Sequence, residues 1–319
     1  MQSNSRYSVI IPVYNRNDEL NELLQSLTTQ SFKDFEVIVI DDGSSERADS
    51  TCEKYIDKLS LTYFYKENSG PGPSRNFGFE KGTGKFMVVF DSDCIIPYSY
   101  FQSVEKFLAV HPLDAWGGPD KGHEKFTILQ QAMAFTMSSV LTTGGIRGGY
   151  NQSDKFQPRS FNMGLSREVI RKTGGFKFDR LAEDIELSIR IRNEGFRVGI
   201  IPEAFVYHKR RTNFSQFYNQ VQNFGRGRVR VGKIHPGFVK VTHWFPSVFF
   251  IGIIVTGILL LAYRPLGILA LSLYGIYMVG IFIDALRVTK SLVVAIVSIP
   301  SAVIQLVGYG VGFLKEIYA

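Results

Sequence analysis

Between residues 244 and 314 the chain carries only four charged side chains: Arg264, Asp284, Arg287 and Lys290. They part the stretch into three apolar blocks, 244–262, 265–283 and 291–314. Each block approaches or exceeds the ~20 residues that a helix needs to cross a bilayer, a length buried core helices seldom reach. Three crossings are expected. The alternative is two crossings plus an interfacial or re-entrant segment, since Pro300 interrupts the last block. Ahead of the blocks, residues 209–240 hold eight Lys/Arg and no carboxylate. Such a stripe suits an anionic membrane face better than nucleic acid, because it adjoins apolar segments. The positive-inside tendency puts this stripe and the Arg287/Lys290 loop in the cytosol and Arg264 outside.

The residues before this tail have an ordinary soluble charge density. Two cysteines, Cys52 and Cys94, support neither a disulfide framework nor a zinc cluster, and reduced thiols are expected. The N-terminus shows no signal-peptide core, so the large domain is expected to stay in the cytosol. Apolar runs at Tyr7–Ile11, Phe35–Ile40, Leu61–Tyr65 and Lys85–Phe90 alternate with helical patterns at Asp18–Gln30, Glu46–Lys58 and Gly72–Lys81. That alternation predicts an α/β fold, a mostly parallel sheet covered by helices on both faces. Further on, helices are expected at Lys125–Val140, Leu181–Asn193 and Asn213–Val231, with strands at Arg159–Ser166, Phe196–Ile201 and Phe205–His208. Three parts result: a globular α/β domain over 1–208, a basic juxtamembrane segment over 209–243, and a membrane domain over 244–319.

Ligands of parallel sheets sit beyond the carboxyl ends of the strands, which points to Pro12–Arg16, Asp41–Ser45 and Asp91–Asp93. Gly82-Thr-Gly-Lys85 mimics the end of a phosphate-binding P-loop, but Phe79 and Phe86 stand where Gly and Ser/Thr are needed. No G-x-G-x-x-G opens a helix after the first strand either. Asp91-Ser-Asp93 offers two carboxylates that can share a hard divalent cation with a diphosphate, although acidic turns also arise without a ligand. Asp41-Asp42-Gly-Ser is a second acidic turn, which capping of the next helix would also explain. Arg75, near a helix start, can meet phosphate or stand solvated. Glu183-Asp184 opens a helix, as a cap or as a general base. His208 ends an apolar strand, as a structural residue or a ligand.

Taken in order, Ile11-Pro-Val-Tyr-Asn-Arg16, Asp41-Asp-Gly-Ser44, Asp91-Ser-Asp93 and Glu183-Asp184 resemble the family-2 glycosyltransferases over about residues 7–230. The resemblance implies a GT-A fold of Rossmann-like type, on a membrane-anchored bacterial-type enzyme. It further implies Pro12, Tyr14, Asp41 and Asp42 around the nucleotide and Asp91 near ribose or metal. Asp93 would bind Mg²⁺ or Mn²⁺, with His208 as a further metal or diphosphate contact. Arg75 would approach the diphosphate or sugar. Asp184, beside Glu183, would deprotonate the acceptor. The implied reaction is inverting transfer from a nucleotide-diphosphate sugar to a membrane-bound, lipid-linked glycan acceptor at the inner (cytoplasmic) membrane, with no nucleic-acid partner. Processive synthases of the family carry Gln-x-x-Arg-Trp after the base, whereas Gln222-Asn-Phe-Gly-Arg226 stands here, which argues against a polysaccharide polymerase. A non-catalytic scaffold would have no need of a base at Asp184. Residues 117–160, with Gly144-Gly-Ile-Arg-Gly-Gly149, are expected to shape the acceptor side.

Overall fold

The structure, a computed structural model, describes residues 5–121, 126–143, 156–209 and 211–319. The chain divides into two compact units, Met1–His123 with Tyr150–Lys209, and Glu124–Gly149 with Arg210–Ala319.

The first unit is built on a seven-stranded sheet of order β3-β2-β1-β4-β8-β6-β9. Its strands are β1 (Tyr7–Val13), β2 (Phe35–Asp41), β3 (Leu61–Tyr65), β4 (Phe86–Phe90), β6 (Ala115–Gly117), β8 (Asn162–Ser166) and β9 (Val198–Ile200). Strands β3, β2, β1 and β4 run parallel, while β8 is antiparallel to both β4 and β6. Side chains alternate between two buried faces. Val9, Ile11, Val37, Val39 and Val88 face the helix α1 (Asn17–Thr28) through Leu20, Leu23, Leu24 and Leu27. Ile10, Ile38, Ile40, Met87 and Val89 face Phe79 of α3 (Pro71–Lys81) and Leu187 and Ile191 of α8 (Glu183–Asn193). Each such side chain stabilises the unit by about 1.5–3 kcal/mol, which explains why the strands read as continuous apolar runs.

The expected helix over Glu46–Lys58 contracts to α2 (Asp49–Glu53), followed by turns. Two helices were not read from the sequence, α4 (Tyr100–Val110) and α7 (Arg167–Thr173). The spacing of Tyr100, Phe101, Val104 and Leu108, all buried, carried the signal for α4. A small second sheet joins β5 (Cys94–Ile95), β7 (Asp120–Lys121) and β10 (Val206–His208) in the order β5-β10-β7.

The second unit contains α5 (Ile128–Ser138), α6 (Val140–Thr143), α9 (Phe214–Ile234), α10 (Phe245–Ala262), α11 (Arg264–Thr289) and α12 (Leu292–Ile317). The last three, the first extended back to Val241, are long and apolar enough to cross a membrane. The expected boundary after residue 208 falls beside the break at Lys209/Arg210, but 124–149 groups with the second unit and no break falls at 243. Helix α5 leaves the catalytic part because Phe135 packs with Ile281, Ala285, Ala295 and Ala302, and Met133 and Met137 pack with Phe217 and Val221. For the same reason the basic segment is no separate linker, since α9 is a structural helix of this unit. Gly144–Gly149 lies outside the described residues.

Candidate functional site

Three strand ends meet at one edge of the first unit. Beyond β1, Asn15 takes a left-handed backbone (φ 53°), which Asn tolerates better than most residues. Its side-chain oxygen accepts from the Ser45 amide (2.8 Å) and hydroxyl, and its own amide donates to Ser44 Oγ at 2.9 Å. These bonds stitch the loop after β1 to the loop after β2. Tyr14 is left half exposed on the rim and Pro12 partly buried behind it.

The two acidic turns then differ. Asp41 is fully buried, accepting from the Ser44 and Ala48 amides and the Tyr63 hydroxyl, each at 2.9 Å. Asp42 accepts from Lys66 and from the Ser69 (3.0 Å) and Gly70 (2.8 Å) amides. Burial opposes ionisation of Asp42, but Lys66 and these donors outweigh it and hold the carboxyl below its usual range. Asp41 is thus engaged by its own loop and by Tyr63.

Past β4, Asp93 meets His208 Nε2 at 3.1 Å and pairs with Arg16. The pairing of β10 with β5 sets His208 opposite Cys94, and the Lys209 amide closes on the Asp93 carbonyl at 3.1 Å. The His208 ring stacks on Phe161 with centroids 4.8 Å apart. Ligand atoms of Asp93, Cys94 and His208 lie within 4.8 Å of one another. Burial and the nearby Asp93 and Asp91 charges push the Cys94 thiol well above its usual range, and it donates to the Phe161 carbonyl. A carboxylate with an imidazole, and Asp91 two residues away, is a donor set that fits a hard or borderline divalent cation such as Mn²⁺.

Arg75 lies on α3 near its start, as expected, but is buried and not solvated. It is 3% exposed and spans two carboxylates, with Nη2 on Asp91 and Nη1 on Glu183, both at 2.7 Å. Both ends of the guanidinium are thus engaged by carboxylates inside the protein. Its helix, α3, can approach because of Gly72, where a Cβ would stand 2.0 Å from the Phe178 carbonyl oxygen. The Gly72 amide donates to the Asp179 carbonyl at 2.9 Å.

The chain then enters α8 through two non-glycine residues in the left-handed region, Leu181 (φ 56°) and Ala182 (φ 64°). Such residues cost of order 1–3 kcal/mol each and cluster at functional sites. Glu183 and Asp184 follow, both buried. Asp184 accepts from Arg159 Nε at 2.9 Å, from the Ser160 amide at 3.3 Å and from the Ile185 amide at 2.8 Å. The N-cap position is Ala182, with no side-chain cap bond, so Glu183 and Asp184 stand in the first turn and not as the cap. Burial pushes the Glu183 carboxyl up and Asp184 adds to this, while Arg75 pulls the other way. The structure thus brings Asp91 and Glu183 onto one arginine and Asp93 and His208 onto each other. Arg16 and Arg159 received no role from the sequence, and Arg159, 25 positions before Asp184, gave no signal of its pairing.

This architecture defines a class: a GT-A-like sheet with acidic turns at its strand ends. The family model described as Glycosyl transferase family 2 matches residues 8–173, and a second, Glycosyl transferase family group 2, matches 160–299. The chain belongs to glycosyl transferase family 2. It is 36% identical over 104 residues to an uncharacterized glycosyltransferase of Rickettsia bellii, covering 33% of this chain and 15% of that protein. It is 36% identical over 113 residues to the Staphylococcus aureus poly(ribitol-phosphate) beta-N-acetylglucosaminyltransferase TarS, covering 34% and 20%. The match to the probable glycosyltransferase YdaM of Bacillus subtilis is longer, 26% over 246 residues, 71% of this chain and 56% of that one. The chain therefore spans only part of the length of these curated relatives. Its fold is similar to a solved Pyrobaculum calidifontis mannosyltransferase in complex with GDP-Man and Mn²⁺, at TM-score 0.63 and 17% identity over 99% of this chain and 88% of that one.

Proposed function

We propose that the protein transfers a glycosyl group from a nucleotide-diphosphate sugar to an acceptor hydroxyl, with inversion at the anomeric carbon. The carrying observation is the convergence of Asp93 with His208, and of Asp91 with Glu183 through Arg75, beside the strained entry that presents Asp184. The Mn²⁺ and GDP-Man of the Pyrobaculum structure, and a TarS structure in complex with UDP-GlcNAc, support the donor class. Asp93 and His208, with Asp91, would hold a divalent cation, which when bound neutralises the charge of the departing diphosphate. The pocket assigned to the nucleotide is the rim formed by Tyr14, Pro12 and the Asp42 turn.

In the reaction the acceptor oxygen forms its bond to the anomeric carbon as the bond from that carbon to the phosphate oxygen breaks. Asp184 takes the acceptor proton, and the nucleoside diphosphate leaves with the bonding pair. Arg159 and the Ser160 amide hold the Asp184 carboxylate in place, and Arg75 pairs with the adjoining Glu183. Three long apolar helices favour a membrane-bound acceptor, with the catalytic unit on the cytosolic side of the bacterial inner membrane.

The test is Asp184→Asn in purified full-length protein supplied with UDP- and GDP-sugars and a lipid-linked acceptor. General-base assistance is typically worth 10²- to 10⁴-fold, so turnover per folded molecule should fall by about that factor with donor affinity nearly unchanged, while the lost pairing with Arg159 should lower the melting temperature as well. Near-wild-type turnover in a folded Asp184→Asn protein would end the general-base assignment.

A further inference from the structure

By length and composition all three C-terminal helices qualify as membrane spans, yet the packing of the second unit separates the third from the other two. Helices α10 and α11 form an antiparallel hairpin. Phe245 stands by Tyr277 (ring centroids 6.2 Å), Phe249 by Tyr274 (5.0 Å), and Gly267 fits against the Leu259–Leu260 backbone at the tip. Helix α11 runs on past the level of Phe245 to Thr289, and this overhang carries Asp284 and Arg287. Asp284 accepts a hydrogen bond from Ser139 at 2.6 Å, so the overhang is occupied by the segment that contains α5 and α6.

Helix α12 begins beside that overhang, where Ala295 and Ala302 pack with Ile281, Ala285 and Phe135. It ends beside the start of α10. Ser247 Oγ donates to the Gly310 carbonyl at 3.3 Å, a Cβ on Gly310 would lie 2.4 Å from the Pro246 carbonyl oxygen, and Trp244 meets Phe313 at 5.0 Å. In an antiparallel hairpin the start of one helix and the end of the other are on the same side. A third crossing would instead bring the end of α12 to the Tyr263 tip.

The charge of α9 argues the same way. Gly225 and Gly312 let the backbones of α9 and α12 touch, and Arg226 pairs with Glu316 at 2.9 Å. Helix α9 also bears Arg228, Arg230 and Lys233, and each cation is costly at membrane depth. A helix fused along such a partner does not share the hydrocarbon core. Helix α12 is two-faced as well. Ser298, Ser301, Ala302 and Gln305 are buried, whereas exposed Ile296 and half-buried Val303, Val307 and Leu314 share one apolar face at helical spacing.

We propose that only α10 and α11 cross the bilayer, and that α12 lies along the headgroup–acyl boundary on the side where α10 begins. Its apolar face is a lipid-binding surface, continuous with the crossing hairpin. Both the glycosyl-transfer reading and its failure are compatible with this arrangement, since no residue of the catalytic unit enters the argument.

Two measurements on the full chain in sealed vesicles test it. Single cysteines are introduced as Lys233→Cys, Tyr263→Cys and Ala319→Cys and labelled with a membrane-impermeant maleimide; the native Cys52 and Cys94 are buried. Positions 233 and 319 should label from one side and 263 from the other. Labelling of 319 from the same side as 263 overturns the proposal. Spin labels at Ile296→Cys, Val303→Cys, Val307→Cys and Leu314→Cys should then report one shallow depth, about 5–10 Å into the boundary. A crossing helix would instead spread positions 296 to 314 over about 27 Å of depth, and labels screened from lipid altogether would mean another protein surface covers that face; either result overturns it.

Discussion

The two acidic turns that follow β2 and β4 look alike in the sequence and differ in how their carboxylates are held. Asp41 is held by amides of its own loop and a neighbouring tyrosine, and Asp42 by two amides and Lys66, all within 41–70. Asp91 and Asp93 are held by side chains from distant parts of the chain, Arg75, Arg16 and His208. Backbone amides cannot leave a carboxylate without unmaking the loop. A side-chain cation can rotate away and be replaced by another cation. The first turn is thus held within its own loop region and the second by distant side chains that can exchange, and substitutions at four positions test that division.

Asp93→Asn has the largest expected effect. Turnover should fall ~100-fold or more and Mn²⁺ affinity, followed by titration calorimetry, should fall similarly, with little change in melting temperature. A melting loss as large as the activity loss would make Asp93 a brace as well.

Asp41→Asn reverses the pattern. One acceptor becomes a donor facing buried donors, so stability should drop by about 1–3 kcal/mol in denaturant unfolding. Turnover per folded molecule should persist. Selective loss of donor affinity in a stable Asp41→Asn protein would return Asp41 to the nucleotide pocket.

Arg16→Gln sharpens the exchange idea. With the paired guanidinium gone, Asp93 should bind Mn²⁺ roughly tenfold more tightly in the absence of donor, because like charges compete for one carboxylate. Arg16→Lys, which keeps the charge, should stay near wild type. Equal affinity in the glutamine variant would show that Arg16 does not occupy the cation's place.

The smallest effect is the acid dependence carried by Asp42. Its folded pKa is lowered, so its contribution is fully present above the ordinary aspartate value and disappears as pH falls through the depressed one. The melting-temperature gap between wild type and Asp42→Asn should therefore be widest at neutral pH and close in strong acid. A gap that widened on acidification would contradict the Lys66 pairing.

Much of the fold was legible because burial on both faces leaves a local record. Strands such as Phe86–Phe90 need apolar residues at every position, and their alternation with helices implies the parallel sheet. The positions of Asp93, His208 and Asp184 were legible as motifs. Their partners were not: Arg159 finds Asp184, and Arg75 finds Glu183, across sequence separations that no local pattern records.

The sequence by itself determined the α/β catalytic unit, the strand-end location of the acidic residues and the apolar tail, since each follows from local composition and period. Tertiary structure alone decided which carboxylates are held by backbone amides and which by distant side chains, because hydrogen-bond partners depend on how loops meet. It likewise decided that α5 joins the apolar helices, and that α12 ends beside the start of α10. Hydropathy reports how willingly a helix leaves water. Which surface then receives it is set by the small residues and charges of the helix and its neighbours, here Gly310 of α12 and Gly225 and Arg226 of α9.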